Sequence, residues 1–243
     1  MNLDCIIQEI RLKDHTLELY TSPNKLFTPN KVTQLFSEVI TINPDDIVFD
    51  IGSGVGPLAI WAALKPSKFV YAVETVEDQY KLALKNVKKY NLEHKVKVYH
   101  GNLFEPIPQG LKANVIIADV SGIAEGPARI MSTNDISWYP PCIPTGGKDG
   151  TKVIIPVLEQ AADYLRGRIY FPVAGLSDHE KIMRVAESKF ECLIMKVNPH
   201  FPIEQEQLQK LINDQSSGKY TIRKNISRWV WDGWIYEASN SKL

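Results

Sequence analysis

Residues 48–63, VFDIGSGVGPLAIWAA, combine the residue types that bind a small ligand where a β-strand ends. An apolar run ends on Asp50, Gly52, Gly54 and Gly56 follow, and a helical apolar pattern begins directly after them. Glycines adopt positive φ angles and let a ligand lie against bare backbone. The first turn of a helix presents free N–H groups to a negatively charged ligand group. The stretch therefore predicts a turn that holds a pyrophosphate or an amino-acid carboxylate.

The spacing of the glycines and a second acid narrow the choice of ligand. Dinucleotide-binding turns read Gly-x-Gly-x-x-Gly, whereas this turn reads Gly-x-Gly-x-Gly and follows an acid. Glu74 ends the next apolar run, FVYAVE, where its carboxylate can accept hydrogen bonds from both hydroxyls of a ribose. The alternative is a turn made only for tight packing of a helix on a strand.

The turn and the second acid resemble motifs I and II of the class I S-adenosylmethionine-dependent methyltransferases. The resemblance implies that S-adenosylmethionine is the cofactor, that its methionine part lies against the turn, and that Glu74 binds its ribose. The cofactor-binding residues assigned on this basis are Asp50, Gly52, Ser53, Gly54, Gly56 and Glu74.

A third stretch, GNLFEP at 101–106, agrees with this resemblance. In the superfamily, a residue after the third strand bonds the adenine amino group and its apolar neighbour packs on the ring. Asn102 and Leu103 occupy those places, although Asp is the commoner residue at the first. The side-chain oxygen of Asn102 can accept the same hydrogen bond. The alternative for Asn102 is an ordinary turn residue.

Two further stretches resemble one subfamily, the release-factor glutamine methyltransferases and their adenine-amino methyltransferase relatives. They are LFTPNKVTQLF at 26–36 and GGKDGTKVIIPVLEQAADYL at 146–165. The subfamily signature after the fourth strand is Asn-Pro-Pro-Tyr, which orients a planar nitrogen and stacks a ring on it. Residues 119–122 here read Asp-Val-Ser-Gly. The resemblance therefore does not predict methylation of glutamine or of a nucleobase by this chain.

Asp119 stands where the acceptor of the methyl group is expected. A carboxylate there can bond an acceptor N–H, accept its proton as a base, or pair with a cationic amine. Asp119 is accordingly the predicted catalytic residue and is also counted among the cofactor contacts. The alternative is that it only caps a turn or contacts the amino group of the cofactor.

Three other residues are predicted to contact the substrate. The hydroxyl of Ser121 can bond it, and Gly122 leaves space where the tyrosine ring of the subfamily would lie. Trp138, in a long Pro- and Gly-rich loop over 123–149, can replace that ring, because long loops of this kind often cover sites. The alternative for Trp138 is simple packing.

Strand and helix patterns alternate along most of the chain. The predicted fold is therefore α/β, with a Rossmann-like seven-stranded sheet that is parallel except for an antiparallel last strand, and helices on both faces. The predicted strands are 47–51, 69–74, 95–100, 114–119, 168–174, 191–197 and 228–238, and the main predicted helices are 30–42, 77–90, 150–165, 177–189 and 204–213.

The predicted domain organisation has two parts. Residues 1–28 form a hairpin and leading segment, and residues 29–243 form the methyltransferase domain. Within that domain, about 198–227 is predicted to be an insertion, with one helix and no strand pattern.

Charge and cysteine content limit the partners. The chain carries 28 basic and 28 acidic residues, a net charge of zero, so an extended nucleic-acid footprint is disfavoured. Its three cysteines are scattered, which is typical of a cytoplasmic protein without disulfides. Its histidines form no cluster at metal-ligand spacing, and its longest apolar run is too short to span a bilayer. No metal and no membrane are expected, and the oligomeric state is left open.

The function predicted from the sequence is methyl transfer from S-adenosylmethionine to a nitrogen, or secondarily an oxygen, of a small molecule or a peptide side chain. A protein or RNA methyltransferase is one alternative. A non-catalytic protein that binds the cofactor as a partner or sensor is another. A nicotinamide-dependent oxidoreductase is disfavoured by the Gly-x-Gly-x-Gly spacing.

Overall fold

The computed structural model describes residues 5–22, 26, 28–131, 145–214 and 220–240. Two strands form a separate antiparallel hairpin, and nine others belong to one mixed sheet flanked by helices. The strands are β1 (Ile6–Arg11), β2 (Thr16–Thr21), β3 (Ile47–Ile51), β4 (Phe69–Glu74), β5 (Val96–His100), β6 (Ala113–Ile117), β7 (Leu165–Ala174), β8 (Cys192–Val197), β9 (His200–Pro202), β10 (Ile222–Asn225) and β11 (Arg228–Ser239). The helices are α1 (Lys31–Val39), α2 (Pro57–Leu64), α3 (Glu77–Lys89), α4 (Glu125–Met131), α5 (Ile154–Tyr164), α6 (His179–Lys189) and α7 (Gln205–Asn213).

The sheet has the predicted Rossmann-like topology. Strands β5, β4, β3, β6 and β7 follow one another in that order and are parallel. The last strand, β11, lies between β7 and β8 and is antiparallel to both. The predicted α/β fold, a largely parallel Rossmann-like sheet with an antiparallel last strand, is therefore confirmed, although the sheet has nine strands and not seven.

Two short strands were not predicted, so the expectation of a strand-free segment over 198–227 is wrong. Strands β9 and β10 both pair antiparallel with the first half of β11, whose second half pairs with β7 and β8. With three and four residues, β9 and β10 are too short to show a period, and they are strands only because β11 extends past the central sheet.

Several predicted boundaries also shift. Strand β6 ends at Ile117, so Asp119 lies in the loop after it. Helix α1 begins at Lys31 after an Asn30 capping box and ends earlier than predicted, at Val39. Helix α5 begins only at Ile154, because the preceding glycines form a turn in which Gly147 and Gly150 have positive φ angles. Helix α4 occupies the start of the predicted loop over 123–149.

The central strands are apolar throughout because helices cover both faces of the sheet. In β3, Val48 packs into one core cluster with α2 and the N-terminal hairpin, whereas Phe49 and Ile51 pack with α5 on the opposite face. Strands buried on both faces are expected to be continuous apolar runs rather than alternating ones. This double burial makes the polar Asp50 within β3 conspicuous.

The inserted segment forms a third core cluster beside the first half of β11. Phe201 of β9, Leu208 and Leu211 of α7, and Trp231 of β11 pack there with Met131 at the end of α4. Because the carboxyl ends of the parallel strands lie at the same side, this cluster borders the edge of the sheet where ligands bind in open α/β folds.

Candidate active site

Three carboxylates meet where the parallel strands end. Asp50 belongs to β3, Glu74 is the last residue of β4, and Asp119 follows β6. Strand β3 lies between β4 and β6. The chain runs from β3 to β4 and β5 on one side and then returns to β6 on the other side, and this reversal of strand order opens a crevice at the strand ends. A cavity of about 540 Å³ lies at this point, and all three carboxylates line it.

The glycine turn after β3 takes its shape from backbone hydrogen bonds. The N–H groups of Gly52 and Ser53 both donate to the carbonyl of Val73, at 2.9 and 3.0 Å. Gly52 has a φ of 75°, and a Cβ placed on it would lie 2.8 Å from a methyl carbon of Val120. Only glycine therefore allows the turn to lie directly against the loop that carries Asp119.

Glu74 is fixed by two backbone donors. Its carboxylate oxygens accept hydrogen bonds from the N–H groups of Gly54 and Val76, each at 2.7 Å. Burial raises the pKa of Glu74, and these backbone hydrogen bonds partly offset that rise. A carboxylate has further lone pairs after accepting two bonds, so Glu74 can also accept from a ligand in the cavity.

Of the three carboxylates, Asp50 has the highest energetic cost of ionisation. Its side chain is 1% exposed, and within the described part of the chain its Oδ2 atom has no hydrogen-bond partner. Burial raises the pKa of Asp50 to about 8, with a further rise from the negative charge of Asp119 and a partial offset from the N–H of Ala59. A buried charge of this kind calls for a partner.

Asp119 lies on the cavity wall and is held by helix α1. Its Oδ2 accepts a hydrogen bond of 2.9 Å from the hydroxyl of Thr33, the residue that also closes the capping box with Asn30. Burial raises the pKa of Asp119 to about 6, and the Thr33 hydroxyl works in the opposite direction. The group can therefore change its protonation state near neutral pH.

The site is electrostatically suited to a cation. Over the described ranges, no lysine or arginine forms a salt bridge with Asp50, Glu74 or Asp119. Three partly uncompensated carboxylates at one cavity raise the pKa of one another or attract a positive ligand. In the same described residues, no group of His, Cys, Asp and Glu is arranged to hold a metal ion.

The far end of the cavity carries the residues predicted to bind adenine. The amide nitrogen of Asn102 donates to Glu105 at 3.2 Å, which leaves its amide oxygen for a donor such as an amino group. Leu103 lines the cavity with a φ of 48°, a backbone conformation that L-residues adopt at a cost and that clusters at binding sites.

Most predicted site residues line this cavity; Gly56 does not, and Trp138 cannot be compared. A Cβ on Gly56 would contact Ala83 and Ile60, so this glycine serves packing of α2 and α3. Trp138 falls outside the described residues. Those that line the cavity are Asp50, Gly52, Ser53, Gly54, Glu74, Asn102, Leu103, Asp119, Ser121 and Gly122.

Several cavity residues were missed from the sequence. They come from α1, α5 and the inserted segment, which meet the site only through tertiary packing. The Asn30 cap and the Thr33 position are visible as a helix start, but nothing local in the sequence ties them to Asp119, 86 residues away from Thr33. The missed residues include Asn30, Thr33, Lys152, Gln160 and Phe201.

Comparison with known proteins agrees with the motifs. Residues 33–133 match a family described as a methyltransferase domain. The chain is 29% identical over 164 residues to a release factor glutamine methyltransferase of Thermosynechococcus vestitus, an alignment covering 63% of this chain and 54% of that protein. It is 30% identical over 131 residues to a ribosomal protein uL3 glutamine methyltransferase of Burkholderia pseudomallei, covering 49% of this chain and 41% of that one.

A solved structure shows the same fold. A 16S rRNA methyltransferase of T. thermophilus, in complex with AdoMet and guanosine, superposes with a TM-score of 0.64 and 14% identity, over 98% of this chain and 51% of that chain. The chain resembles the class I S-adenosylmethionine-dependent methyltransferases in sequence and in fold. That prediction is confirmed, as is the likeness to the glutamine methyltransferase subfamily.

The comparisons also bear on partners. The chain spans about half or less of the length of the two curated relatives described above. Solved structures of similar fold include RNA methyltransferases, so the comparisons do not support the expectation that nucleic acid is an unlikely partner. None of the described helices is long and apolar enough to cross a membrane.

The substitution Asp50→Asn tests the electrostatic cost of the site. Because the folded-state pKa of Asp50 is raised from 3.8 to about 8, its contribution to stability is present at low pH and is lost as pH rises through that range. At pH 8 and without ligand, the free energy of unfolding of Asp50→Asn should be about 1–2 kcal/mol larger than that of wild type. Urea denaturation measures this difference. The exposed Asp163→Asn is the control, and equal stability of wild type and Asp50→Asn at pH 8 would contradict the argument.

The hydroxyl of Thr33 should set the titration of Asp119. Removing a donor to the charged carboxylate destabilises the charged form, so Thr33→Val should raise the pKa of Asp119 by on the order of one unit. Carbon NMR of labelled aspartates measures this directly. Thr33→Ser retains the hydroxyl and should titrate like wild type; a wild-type pKa in Thr33→Val would show that the hydrogen bond is unimportant.

Proposed function

We propose that the protein transfers a methyl group from S-adenosylmethionine to a nitrogen acceptor of a small molecule or a peptide side chain. The observation that supports it most directly is the backbone clamp on Glu74, which turns the second acid of the motif toward the cavity beside the glycine turn. The comparisons support the methyltransferase class and leave the acceptor to be proposed from the site.

The residues present fit this cofactor. The buried Oδ2 of Asp50 and hydroxyl of Ser53 lack hydrogen-bond partners among the described residues, as expected of a site whose ligand completes it. In the proposed arrangement, Glu74 accepts from the ribose hydroxyls, Asn102 accepts from the adenine amino group, and Asp50 faces the ammonium group of the methionine part.

When bound, S-adenosylmethionine supplies a methyl group on a positively charged sulfur, which an acceptor nitrogen can attack. The chain contributes position and charge to this reaction. Asp119 accepts a hydrogen bond from the acceptor N–H and so directs the nitrogen lone pair away from itself. Its pKa of about 6 allows it to take up the proton that the nitrogen loses and to release it to solvent near neutral pH.

The subfamily resemblance does not extend to the acceptor. Asp119 occupies the place of an asparagine that can donate and accept hydrogen bonds, whereas an ionised carboxylate only accepts them. An amide acceptor needs a partner for its carbonyl oxygen as well as for its NH₂ group. A carboxylate is better matched to an amine or a ring nitrogen that presents only N–H groups.

The substitution Glu74→Ala tests the cofactor assignment. Loss of a charged acceptor to two hydroxyls should weaken S-adenosylmethionine binding by about 10- to 100-fold, measured by calorimetry. Glu77→Ala removes an exposed acid three residues away that pairs with Lys81 and should leave the affinity unchanged. Unchanged affinity in Glu74→Ala would refute the ribose placement.

The substitution Asp119→Asn tests the acceptor assignment. With methyl-labelled cofactor and cell extract as the source of acceptor, the rate of label transfer should fall by about 100-fold, while the dissociation constant of S-adenosylmethionine changes little. Glu125→Gln, an exposed acid on the same segment, is the control. Full transfer by Asp119→Asn would remove Asp119 from the chemistry.

A further inference from the structure

We propose that the acceptor is a free small molecule with a flat ring, an arylamine or nitrogen heterocycle, and that the ring stacks on a wall formed by two side chains. These are Phe201 of β9, in the inserted segment, and Trp231 of β11. This proposal rests on the proposed function, because it identifies the bound ring as the methyl acceptor. Binding of a ring to Phe201 and Trp231 can nevertheless be tested without the cofactor.

The cavity is longer than the cofactor-binding residues account for. Those residues lie after β3, β4 and β5, on one side of Asp119. On the other side the cavity continues along the end of β7 and the middle of β11, where Val173, Ala174 and Gly233 line it. Because β7 lies between β6 and β11, a ring in this part of the cavity would lie over the end of β7, between Asp119 and β11.

The wall is built of two stacked rings. Phe201 and Trp231 have ring centroids 4.3 Å apart and an interplanar angle of 21°, and both line the cavity. A Cβ on Gly233 would lie 2.9 Å from the Phe201 ring. Glycine at this position in the middle of a strand therefore lets the Phe201 ring lie directly on β11, a close approach of the kind that explains strand glycines.

The Gly122 side of the acceptor site leaves room for a ligand. Among the described residues, a Cβ placed on Gly122 would meet no atom within 4 Å, at the position where the related subfamily has a tyrosine. A carboxylate on one side and aromatic rings on the other suit a flat nitrogenous group.

The charge of the chain bears on the size of the acceptor. The net charge is zero, which favours a small ligand over a nucleotide within a long polymer, for which a basic surface would be expected.

The test is binding of 2-aminopyridine, with cyclohexylamine as the non-aromatic control. Each compound is titrated by calorimetry and saturation-transfer NMR into ligand-free protein and into protein saturated with S-adenosylhomocysteine. We expect 2-aminopyridine to bind about tenfold more tightly than cyclohexylamine, and Phe201→Leu and Trp231→Leu each to weaken it about tenfold. Trp229→Leu is the matched control, because Trp229 packs on the same core cluster but does not line the cavity.

The outcomes separate the two proposals. Equal binding of the two compounds, or wild-type binding in both Leu variants, would overturn the aromatic wall even if S-adenosylhomocysteine binds. Binding of 2-aminopyridine to the ligand-free protein without any binding of S-adenosylhomocysteine would instead overturn the proposed function and leave the wall intact. Tight binding of an adenine-containing RNA oligonucleotide, with no binding of 2-aminopyridine, would overturn the proposal of a small-molecule acceptor and indicate an RNA acceptor.

Discussion

The accumulation of negative charge at one edge of the sheet is the constraint on which the site depends. Parallel strands bring their carboxyl ends together, so acids that follow β3, β4 and β6 share one desolvated cavity. Backbone N–H groups compensate Glu74 and a threonine hydroxyl compensates Asp119, but Asp50 is left with a raised pKa. In the ligand-free protein Asp50 therefore holds its proton up to about pH 8, and a cationic ligand would stabilise its charged form, as in other sites where function is obtained at the expense of stability.

The positions of the residues proposed to bind the cofactor could be predicted from the sequence because they are encoded locally. Asp50 and Glu74 each end an apolar run, and Gly52 and Gly54 follow in the same short segment, so strand, turn and helix determine where these side chains point. Gly56 shows the limit of such reasoning: its spacing matches a ligand-binding glycine, but it contacts neighbouring helices. The spacing of the glycines predicts the turn, but it does not show which of the glycines contacts the ligand.

The acceptor half could not be read in this way. The bond between Thr33 and Asp119 spans 86 residues, and the Phe201–Trp231 pair exists only because the three-residue β9 pairs with β11. Short strands have no period, and their pairing is decided by a partner elsewhere in the chain. The loss of the Asn-Pro-Pro-Tyr signature marks the position of the acceptor but carries no information on the residues that take over its role.

The position of β11 has a consequence for the order in which the protein is made. Strands β3, β4 and β5 come from consecutive chain segments and can associate early during synthesis, since their contacts are close in sequence. Strand β8 pairs with β11 alone among the described strands, as does β9. Until β11 leaves the ribosome, the edge of β7 is uncovered and prone to wrong pairing. The half of the site that we propose to bind the cofactor can thus exist in a nascent chain well before the half that we propose to bind the acceptor.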